Sequence, residues 1–411
     1  MIKKKEIIVQ KYGGSSVATV EKIKNVARNI VAYKKKGFNV VSVVSALGNT
    51  TDELINLAAK VTKHPQEREF DMLISTGEQV SSALLTMAIH DMGYEAIAFT
   101  GFQIGIITDD AFTKARIIKI NSDRIKKEIK RGKIVVVAGF QGINIDMDIT
   151  TLGRGGSDLT AVALAKSVNA DICEIYTDVA GVYTADPRIV EKAKKISKMC
   201  YDEMLEMASL GAQVMQARSI EFAKKNSVKI HVRSSSSKRE GTMIMGEVKS
   251  MENIYVTGVA IDKKEAKVTI CDVPDKPGIA ALIFSKIANE NINVDMIVQN
   301  VSRKDHTDLS CTVPKADIDK AVKIAKRVAS DIKATEVITD NNIAKVSVVG
   351  VGMRSHAGIA AEMFKALAEN KINIEMISTS EIKISCVIDI KHADKAVKIL
   401  HKVFKLDNIK R

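Results

Sequence analysis

TTLGRGGSD, residues 150–158, places three glycines, one arginine, three hydroxyl groups and a carboxylate immediately before the apolar run 159–165. Glycines let backbone N–H groups approach an anion closely, and Ser157 and Asp158 stand where a helix N-cap is expected. A helix N-terminus favours negative charge, and the guanidinium of Arg154 suits a carboxylate or a phosphate. The stretch therefore predicts an anion-binding loop at the start of a helix, although ordinary turns of this composition also occur.

Length and composition limit the classes of protein to consider. A chain of 411 residues is too long for one core, so two or three domains are expected. Hydrophobic residues make up 46% of the chain and there are only 5 prolines, which excludes a disordered protein. No apolar run is as long as a membrane span, and the apolar segment near the start is too short for a signal peptide. We therefore expect no membrane partner and a cytoplasmic location.

The net charge of +13 raises nucleic acid as a partner. The lysines are spread over many predicted helical faces, and aromatic residues make up only 4%, so platforms for base stacking are scarce. A solvated basic surface, and no nucleic-acid partner, is the prediction. The five cysteines are an odd number without CxxC spacing and lie in or beside apolar segments, which favours reduced thiols over disulfides or a zinc site.

Glycines and small polar residues follow the other predicted strands in the same manner. The first such corner is KYGGSSV (11–17), which Lys11 leads, and it lacks both the P-loop spacing and a GxGxxG fingerprint. Strands alternating with helices favour an α/β fold with a mainly parallel sheet between helices, and ligand belongs at the carboxyl edge of that sheet. The remaining corners are 45–52, STGE (75–78), GFQG (139–142) and TDVAGVYTADPR (177–188).

Glu78 lies near a predicted helix start in the STGE corner. An acidic residue there can simply interact favourably with the helix dipole. Because the corner is of the same sort as the others, we expect Glu78 to face ligand.

The C-terminal part contains an internal repeat. GIAALIFSKIANENINVDMI, residues 278–297, returns 80 positions later as GIAAEMFKALAENKINIEMI, residues 358–377. Each copy is flanked by β-type runs and followed by a lysine-rich amphipathic helix. This pattern predicts two βαββαβ units, each with helices on one face of a four-stranded sheet.

In this order along the chain, the motifs resemble those of the bacterial aspartate kinase (aspartokinase) family over essentially the whole length. The resemblance implies an amino-acid kinase catalytic domain at 1–245 and two ACT domains at 263–340 and 341–411. Residues 246–262 would be a linker and the first strand of the regulatory region. It also implies phosphorylation of the β-carboxylate of L-aspartate by ATP with Mg²⁺, giving 4-phospho-L-aspartate on the route to lysine, methionine and threonine.

The resemblance also implies roles for single residues. Lys11 would bridge the transferring phosphoryl group, and Asp158 would position Lys11 or Mg²⁺; both are expected to be catalytic. Glu78 would hold the ammonium of aspartate and Arg154 its α-carboxylate. Further substrate-binding residues would be Ser45, Thr51, Gly155, Gly156 and Ser157. Besides Lys11, nucleotide-binding residues would be Tyr12, Gly13, Gly14, Ser15, Thr177, Asp178, Tyr183, Thr184, Ala185, Asp186, Pro187 and Arg188. No metal site made by the protein alone is expected.

Paired ACT domains imply feedback inhibition by an amino acid bound at their interface, and a homo-oligomer, a dimer or tetramer, formed through them. Lysine is the first candidate effector and threonine the second, because acidic side chains suit an ammonium. The effector residues implied in the first unit are Asp275, Gly278, Ile279, Ala280, Asn293, Val294, Asp295 and Gln299. Those in the second are Ile359, Ala360, Asn373, Ile374, Ser380 and Glu381.

Three positions depart from the family pattern: Ala180 where an acidic residue is usual, Gln213 where many relatives have lysine, and Ala357 in place of a common proline. They bear on nucleotide affinity and regulation more than on the Lys11 and Asp158 pair. A segment beginning at Met251 is similar to one where some relatives restart translation, so a separate small subunit is a further hypothesis.

Two other functions stay open from the residues. One is another kinase of the same superfamily, acting on glutamate, acetylglutamate or a nucleoside monophosphate. The other is a catalytically inactive amino-acid sensor that keeps the kinase fold. The ACT-like repeat and the STGE motif weigh against the first, and intact Lys11, Arg154 and Asp158 weigh against the second.

Overall fold

The protein is described here by a computed structural model that covers residues 6–209, 214–237, 239–246, 255–300, 305–356 and 358–408. Gln213, Met251 and Ala357 lie outside these residues. The helices are α1 Val20–Lys35, α2 Thr50–Val61, α3 Glu67–Ile74, α4 Thr76–Asp91, α5 Asp123–Lys130, α6 Gly156–Ser167, α7 Tyr201–Ser209, α8 Ala217–Asn226, α9 Ile279–Asn289, α10 Ile318–Ile332, α11 Ile359–Glu369 and α12 Ala393–Val403.

The strands, also numbered in chain order, are β1 Ile7–Tyr12, β2 Asn39–Val44, β3 Ala96–Phe99, β4 Ile106–Thr108, β5 Ile117–Ile120, β6 Ile134–Ala138, β7 Gln141–Ile143, β8 Ile149–Thr151, β9 Ile172–Thr177, β10 Lys198–Cys200, β11 Ile230–Ser234, β12 Thr242–Met245, β13 Gly258–Asp262, β14 Glu265–Pro274, β15 Ile297–Gln299, β16 His306–Pro314, β17 Glu336–Asp340, β18 Ile343–Val349, β19 Met376–Thr379 and β20 Lys383–Asp389. No described helix has the length and apolar character needed to cross a membrane.

An eight-stranded sheet in the order β10-β12-β11-β9-β1-β2-β6-β3 organises the N-terminal part. All its pairings are parallel except that of β11 with β12. Its central strands are β-branched and buried, as expected for strands covered on both faces. Tyr12 at the end of β1 is in register with Val44 on one side and Tyr176 on the other. The carboxyl ends of these strands therefore meet at one edge, and the predicted fold class is confirmed.

Helices cover both faces of this sheet. On one face α1 and α4 pack over Val40 and Val136. On the other face α6 packs over Val9 and Val41, and it is apolar nearly all round because α8 and the sheet enclose it. The buried position of α6 fixes the glycine-rich loop at its start.

The STGE corner is a junction between two helices rather than the end of a strand. Residues 67–74 form α3, whose buried residues include Asp71 and Ile74, and α4 begins directly at Thr76. The apolar residues of EREFDMLI recur with a helical spacing, which explains why no strand forms there. Beside α3 lies a small sheet in the order β5-β4-β7-β8.

The C-terminal part consists of two four-stranded antiparallel sheets, β15-β16-β14-β17 and β13-β18-β20-β19. Helices α9 and α10 cover the first sheet and α11 and α12 cover the second, so each predicted unit has four strands and two helices. The first follows the predicted βαββαβ order, β14-α9-β15-β16-α10-β17, whereas the second runs β18-α11-β19-β20-α12 and takes its fourth strand from earlier in the chain. β13 precedes the first unit in the chain but pairs with β18 of the second, with Gly258 opposite Val349. The strand expected to open the regulatory region is thus part of the second sheet.

The second unit packs against the N-terminal part through α7. The Oε1 atom of Glu203 accepts hydrogen bonds from the Thr257 hydroxyl and from the Val351 amide. The ammonium of Lys383 lies 2.8 Å from Oε2 of Glu206. These polar contacts join the unit directly to the helix that follows β10.

Candidate active site

The centre of the site is an ion pair between Lys11 and Asp158. Alternation along β1 turns Lys11 to the same face as Val9, where the first turn of α6 presents Asp158. The Lys11 Nζ lies 2.6 Å from the Asp158 Oδ1, and the two side chains are 12% and 7% exposed. The backbone N–H of Gln216 donates to Oδ2 of Asp158 at 3.3 Å. A cation is therefore held nearly out of water at the carboxyl edge of the sheet.

Two glycines allow the backbone to close around this pair. Gly155, the N-cap of α6, has φ of +73°, and a Cβ there would lie 2.9 Å from Cβ of Gln216. A Cβ on Gly14 would lie 2.8 Å from the carbonyl oxygen of Ala46, which follows β2. A side chain at Gly14 would push apart the corners after β1 and β2, and one at Gly155 would push the loop after β8 away from the start of α8. Gly13 and Ser15 belong to the first of these corners, and Gly156 and Ser157 begin α6.

Glu78 is a buried acid at the start of α4. Its Oε1 accepts a hydrogen bond from the Ala46 amide at 3.2 Å, while Oε2 has no hydrogen-bond partner among the described residues. Burial raises the pKa of Glu78 to about 7, and the Ala46 hydrogen bond only partly opposes this. Ser45, half-buried, precedes Ala46 in the same corner. The free carboxylate oxygen is a position for a cation.

Arg154 lies on the outer side of the glycine-rich loop. Its side chain is 93% exposed, and its Nη2 is 3.5 Å from Oδ1 of Asp52 at the start of α2. Thr51, half-buried, is the neighbouring residue on α2. The arginine is thus available to a ligand between α2 and α6, rather than buried with Lys11.

Several of the residues expected to bind nucleotide follow β9 as an open loop. The Thr177 hydroxyl donates to Asp178 at 3.0 Å, and Tyr183 is half-buried beside Lys195. Ala180 is half-buried in the same loop. Asp186 accepts hydrogen bonds from the exposed guanidinium of Arg188, which lowers the pKa of Asp186; Pro187, between them, is exposed.

Thr184 and Ala185, in the same loop, pack against the second C-terminal unit. The Thr184 hydroxyl is 2.9 Å from Nε2 of His401 on α12, and its carbonyl accepts from the Val259 amide on β13. Ala185 belongs to the core of the second C-terminal unit. Both residues are buried in this contact. Packing against the second unit accounts for the position of both side chains, and their expected role in nucleotide binding stays a prediction.

Three contributions were not foreseen from the sequence. The amides of Ala46 and Gln216 orient Glu78 and Asp158, and the ring of Tyr12 stacks on that of Tyr176 with centroids 4.7 Å apart. The stacked rings join the ends of β1 and β9 on the sheet face opposite Lys11. Backbone donors carry no residue-type signal, and the ring pair is visible only once the strand register is known.

A cavity of about 320 Å³ lies in the first C-terminal unit, between the loop after β14 and the edge of the sheet. Five of the eight effector residues expected there line it: Asp275, Gly278, Ile279, Ala280 and Gln299. Asn293 is exposed, and Val294 packs against the core of its unit. Asp295 forms an ion pair with Lys345 of the second unit, so its carboxylate already has a cation.

The expected effector residues of the second unit are less open. Ile359 is buried, and Ala360 and Ile374 pack against the same core. Asn373 is exposed, Ser380 hydrogen-bonds within the turn before β20, and Glu381 is exposed beside it. The loop after β18 lies against residues 255–257, where a Cβ on Gly350 would come 2.3 Å from the carbonyl oxygen of Tyr255.

Comparisons with known proteins agree with this architecture. The family model described as the amino acid kinase family matches residues 6–234, and that of the ACT domain matches 272–328 and 346–404. An aspartate kinase of Stutzerimonas stutzeri is 52% identical over 402 residues, which is 98% of each chain. A crystal structure of an aspartate kinase from Synechocystis is 44% identical, with 97% of this chain and 69% of that chain covered and a TM-score of 0.55.

A structure of E. coli aspartokinase III in complex with aspartate and ADP is 24% identical and shares the fold, with a TM-score of 0.81 over 97% of this chain and 99% of that one. The 52% identity to the Stutzerimonas stutzeri aspartate kinase over 98% of this chain is far more specific than a shared fold. The chain therefore belongs to the aspartokinase family, with an amino-acid kinase domain followed by two ACT domains.

Proposed function

We propose that this protein transfers the γ-phosphoryl group of ATP to the β-carboxylate of L-aspartate, giving 4-phospho-L-aspartate, the first step towards lysine, methionine and threonine. The observation that carries the proposal is the Lys11–Asp158 pair, 2.6 Å apart at the carboxyl edge of the sheet. Family membership and the buried Glu78 near the same edge support it.

The chemistry requires alignment and charge neutralisation rather than a strong base. A carboxylate nucleophile is already ionised at neutral pH, so no residue has to remove a proton. The ammonium of Lys11 offsets negative charge as the phosphoryl group moves between two oxygens. Asp158 keeps that ammonium in one place, because its own position is fixed by α6 and by the Gln216 amide.

The two ends of aspartate match two side chains of the site. The unpartnered oxygen of Glu78 would accept the α-ammonium, and Arg154 would bind the α-carboxylate. N-acetylglutamate has an uncharged nitrogen, so it would leave the buried Glu78 carboxylate without a cation. This difference favours an unblocked amino acid over the acetylated alternative. Glutamate remains the closer competitor, and its longer chain would place the reacting carboxylate differently relative to Lys11.

Nucleotide binding is proposed for Gly13, Gly14 and Ser15 at the first corner and for the loop that carries Asp178, Tyr183, Asp186 and Arg188. Mg²⁺ bound with ATP is held largely by phosphate oxygens and water with one or two carboxylates, and it neutralises phosphate charge. Asp158 is the carboxylate nearest to Lys11 that could contribute. No cluster of three metal-binding side chains occurs in the described residues.

Feedback regulation is proposed for the cavity of the first ACT domain, with lysine as the first candidate and threonine as the second. Asp275 supplies an acidic group for an ammonium, and Gln299 lies on the edge strand β15. β15 lies at the edge of its sheet, and an edge strand can pair with another chain, which supports a homo-oligomer formed through the ACT domains.

Aspartate-dependent ADP release by the full chain tests the proposal. Release with aspartate but not with N-acetylglutamate, and lower release when lysine or threonine is added, is expected. A Lys11→Met variant serves as the background. Release with glutamate alone would assign a different acceptor. ATP-independent binding of lysine with no turnover of any acceptor would instead identify an inactive sensor.

A further inference from the structure

Asp71 is a fully buried carboxylate outside the residues assigned to the reaction. It lies on α3 and accepts three hydrogen bonds. The Thr151 amide and the Thr113 amide donate to Oδ2 at 2.7 Å and 2.8 Å, and the Thr151 hydroxyl donates to Oδ1 at 2.7 Å. All three donors come from outside its own helix. Burying a carboxylate this completely is costly unless hydrogen bonds compensate, and these three hydrogen bonds do so.

The donors belong to the two segments that flank the Arg154 loop. Thr151 ends β8, three positions before Arg154. Thr113 has φ of +65°, and its carbonyl oxygen would lie 3.2 Å from a Cβ on Gly153. By binding both threonines, Asp71 holds the base of the loop from two sides.

Asp71 is also connected to the Glu78 corner. Its carbonyl accepts the Ser75 amide at 3.1 Å where α3 ends, and α4 with Glu78 begins at the next residue. The Gln141 side chain donates to the Ser75 carbonyl at 2.8 Å and ties the same junction to β7. Asp71 thus contacts the base of the Arg154 loop. It also lies one helical turn before the junction between α3 and α4 that positions Glu78.

We propose that Asp71 is a positioning residue that sets the separation between Arg154 and Glu78, and that it thereby selects acceptors carrying both an α-carboxylate and an α-ammonium. The inference rests on the proposed roles of Arg154 and Glu78. A carboxylate is needed at position 71 because both of its oxygen atoms accept hydrogen bonds. An asparagine would keep the shape but present an N–H to one of these donors.

The first test is a comparison of Asp71→Asn with Glu67→Gln, a matched change at an exposed acid on the same helix. We expect the KM for aspartate to rise about tenfold or more in Asp71→Asn while the KM for ATP stays within about twofold, since a misplacement near 1 Å can cost as much as about 10²-fold. Glu67→Gln should behave as the wild type. Equal increases in both KM values, or none, would overturn the inference.

The second test uses β-alanine, which is aspartate without its α-carboxylate, as a competitive inhibitor against aspartate. If Asp71 acts through the Arg154 loop, Asp71→Asn should raise the KM for aspartate. The inhibition constant of β-alanine should change by no more than about threefold. If the KM for aspartate and the inhibition constant of β-alanine rise by the same factor, the substitution has damaged the site in general, and the inference is rejected. Absence of aspartate phosphorylation by the wild type would reject the proposed function instead.

Thr151→Val keeps the test usable if Asp71→Asn fails to fold. This change removes one donor and retains the carboxylate and both amide hydrogen bonds. We expect the same selective rise in the KM for aspartate, at about a third of the size or less. An unchanged ratio of the two KM values in a folded Thr151→Val protein would count against Asp71 as a positioning residue.

Discussion

The hydroxyl of Thr184 and the Nε2 of His401 lie 2.9 Å apart although 217 positions separate them in the chain. Thr184 lies within the loop proposed to bind nucleotide, and His401 is on the last helix of the second ACT domain. Both residues are buried. This loop and the second ACT domain are therefore joined by a side-chain hydrogen bond in an interior that excludes water.

We expect His401→Leu to lower the free energy of unfolding by about 1–2 kcal/mol, because the Thr184 hydroxyl loses a buried partner. Urea denaturation measures this change. His401→Gln, which can still hydrogen-bond, should lose less, and His64→Leu at an exposed site should lose little. Equal effects of leucine and glutamine at position 401 would show that the hydrogen bond contributes nothing.

The same histidine predicts an acid sensitivity. Burial lowers the pKa of His401 below its ordinary value of 6.5. Because the unfolded chain binds the proton more readily, this contribution to stability is present above pH 6.5 and is lost as pH falls through the lowered pKa. The unfolding free energy of His401→Gln should fall less between pH 7 and pH 5 than that of the wild type.

Lys11→Met should reduce turnover by about 10²-fold or more, since a preorganised charge at the reacting oxygens is lost. Initial rates of aspartate-dependent ADP release provide the measurement. Lys24→Met, an exposed lysine on α1, is the control and should retain normal rates. Circular dichroism should show both variants folded. Near-normal turnover of a folded Lys11→Met protein would remove Lys11 from the mechanism.

Aspartate binding should strengthen as pH rises. Burial places the pKa of Glu78 at about 7, and only the ionised form pairs with an ammonium. The KM for aspartate is therefore expected to fall about tenfold from pH 6 to pH 8, and Glu78→Gln should show a high KM without this slope. The exposed change Glu95→Gln should keep the wild-type profile. A KM for aspartate independent of pH in the wild type would contradict the assignment.

Glu78 also has an effect on stability in the absence of substrate. Its raised pKa means that its contribution is fully present below the ordinary pKa of 4.5 and is lost as pH rises through about 7. Glu78→Gln should consequently be more stable than the wild type at pH 8 without aspartate. Added aspartate should narrow the difference, because it stabilises only the protein that binds it.

The two ACT domains are joined by reciprocal ion pairs: Lys345 of the second with Asp295 of the first, and Lys267 of the first with Glu375 of the second. Lys345 is only 2% exposed and Asp295 is 35% exposed. Asp295→Ala should lower the free energy of unfolding by about 1–3 kcal/mol, because the buried ammonium of Lys345 loses its carboxylate partner. Lys345→Met should lower it less, because the carboxylate left behind is partly exposed to water. Denaturation curves of the two variants give the comparison, and a larger loss in Lys345→Met would refute it.

Much of the site could be predicted because it follows from local rules. The places of Lys11 at the end of a strand followed by glycines and of Asp158 at a helix start follow from local patterns, and parallel strands bring such ends to one edge. Their catalytic roles are what the resemblance to the aspartokinase family implies. Glu78 was expected to face ligand for its place in a small-residue corner. Its setting between two helices was not anticipated, since 67–74 was too short for its helical period to stand out.

Other features depend on tertiary packing and leave no local pattern. Thr184 and Ala185 lie inside a motif that resembles a nucleotide loop, yet a helix more than two hundred positions away covers them. Asp71 had a weak signal, an acid among apolar residues on the inner face of α3, but its donors come from two distant segments. Roles of this kind become visible only when the contacts are known.

The pairing of β13 with β18 has a consequence for the modular construction of the chain. Asp262 lies opposite Lys345, so the whole first ACT domain enters and leaves between two neighbouring antiparallel strands. The first ACT domain is therefore an insertion in the second. Cutting the chain after residue 262 would separate β13 from the other three strands of the second sheet. Deleting the inserted domain and joining β13 to β18 by a short hairpin loop would keep all four strands of the second sheet and its contacts with the kinase domain.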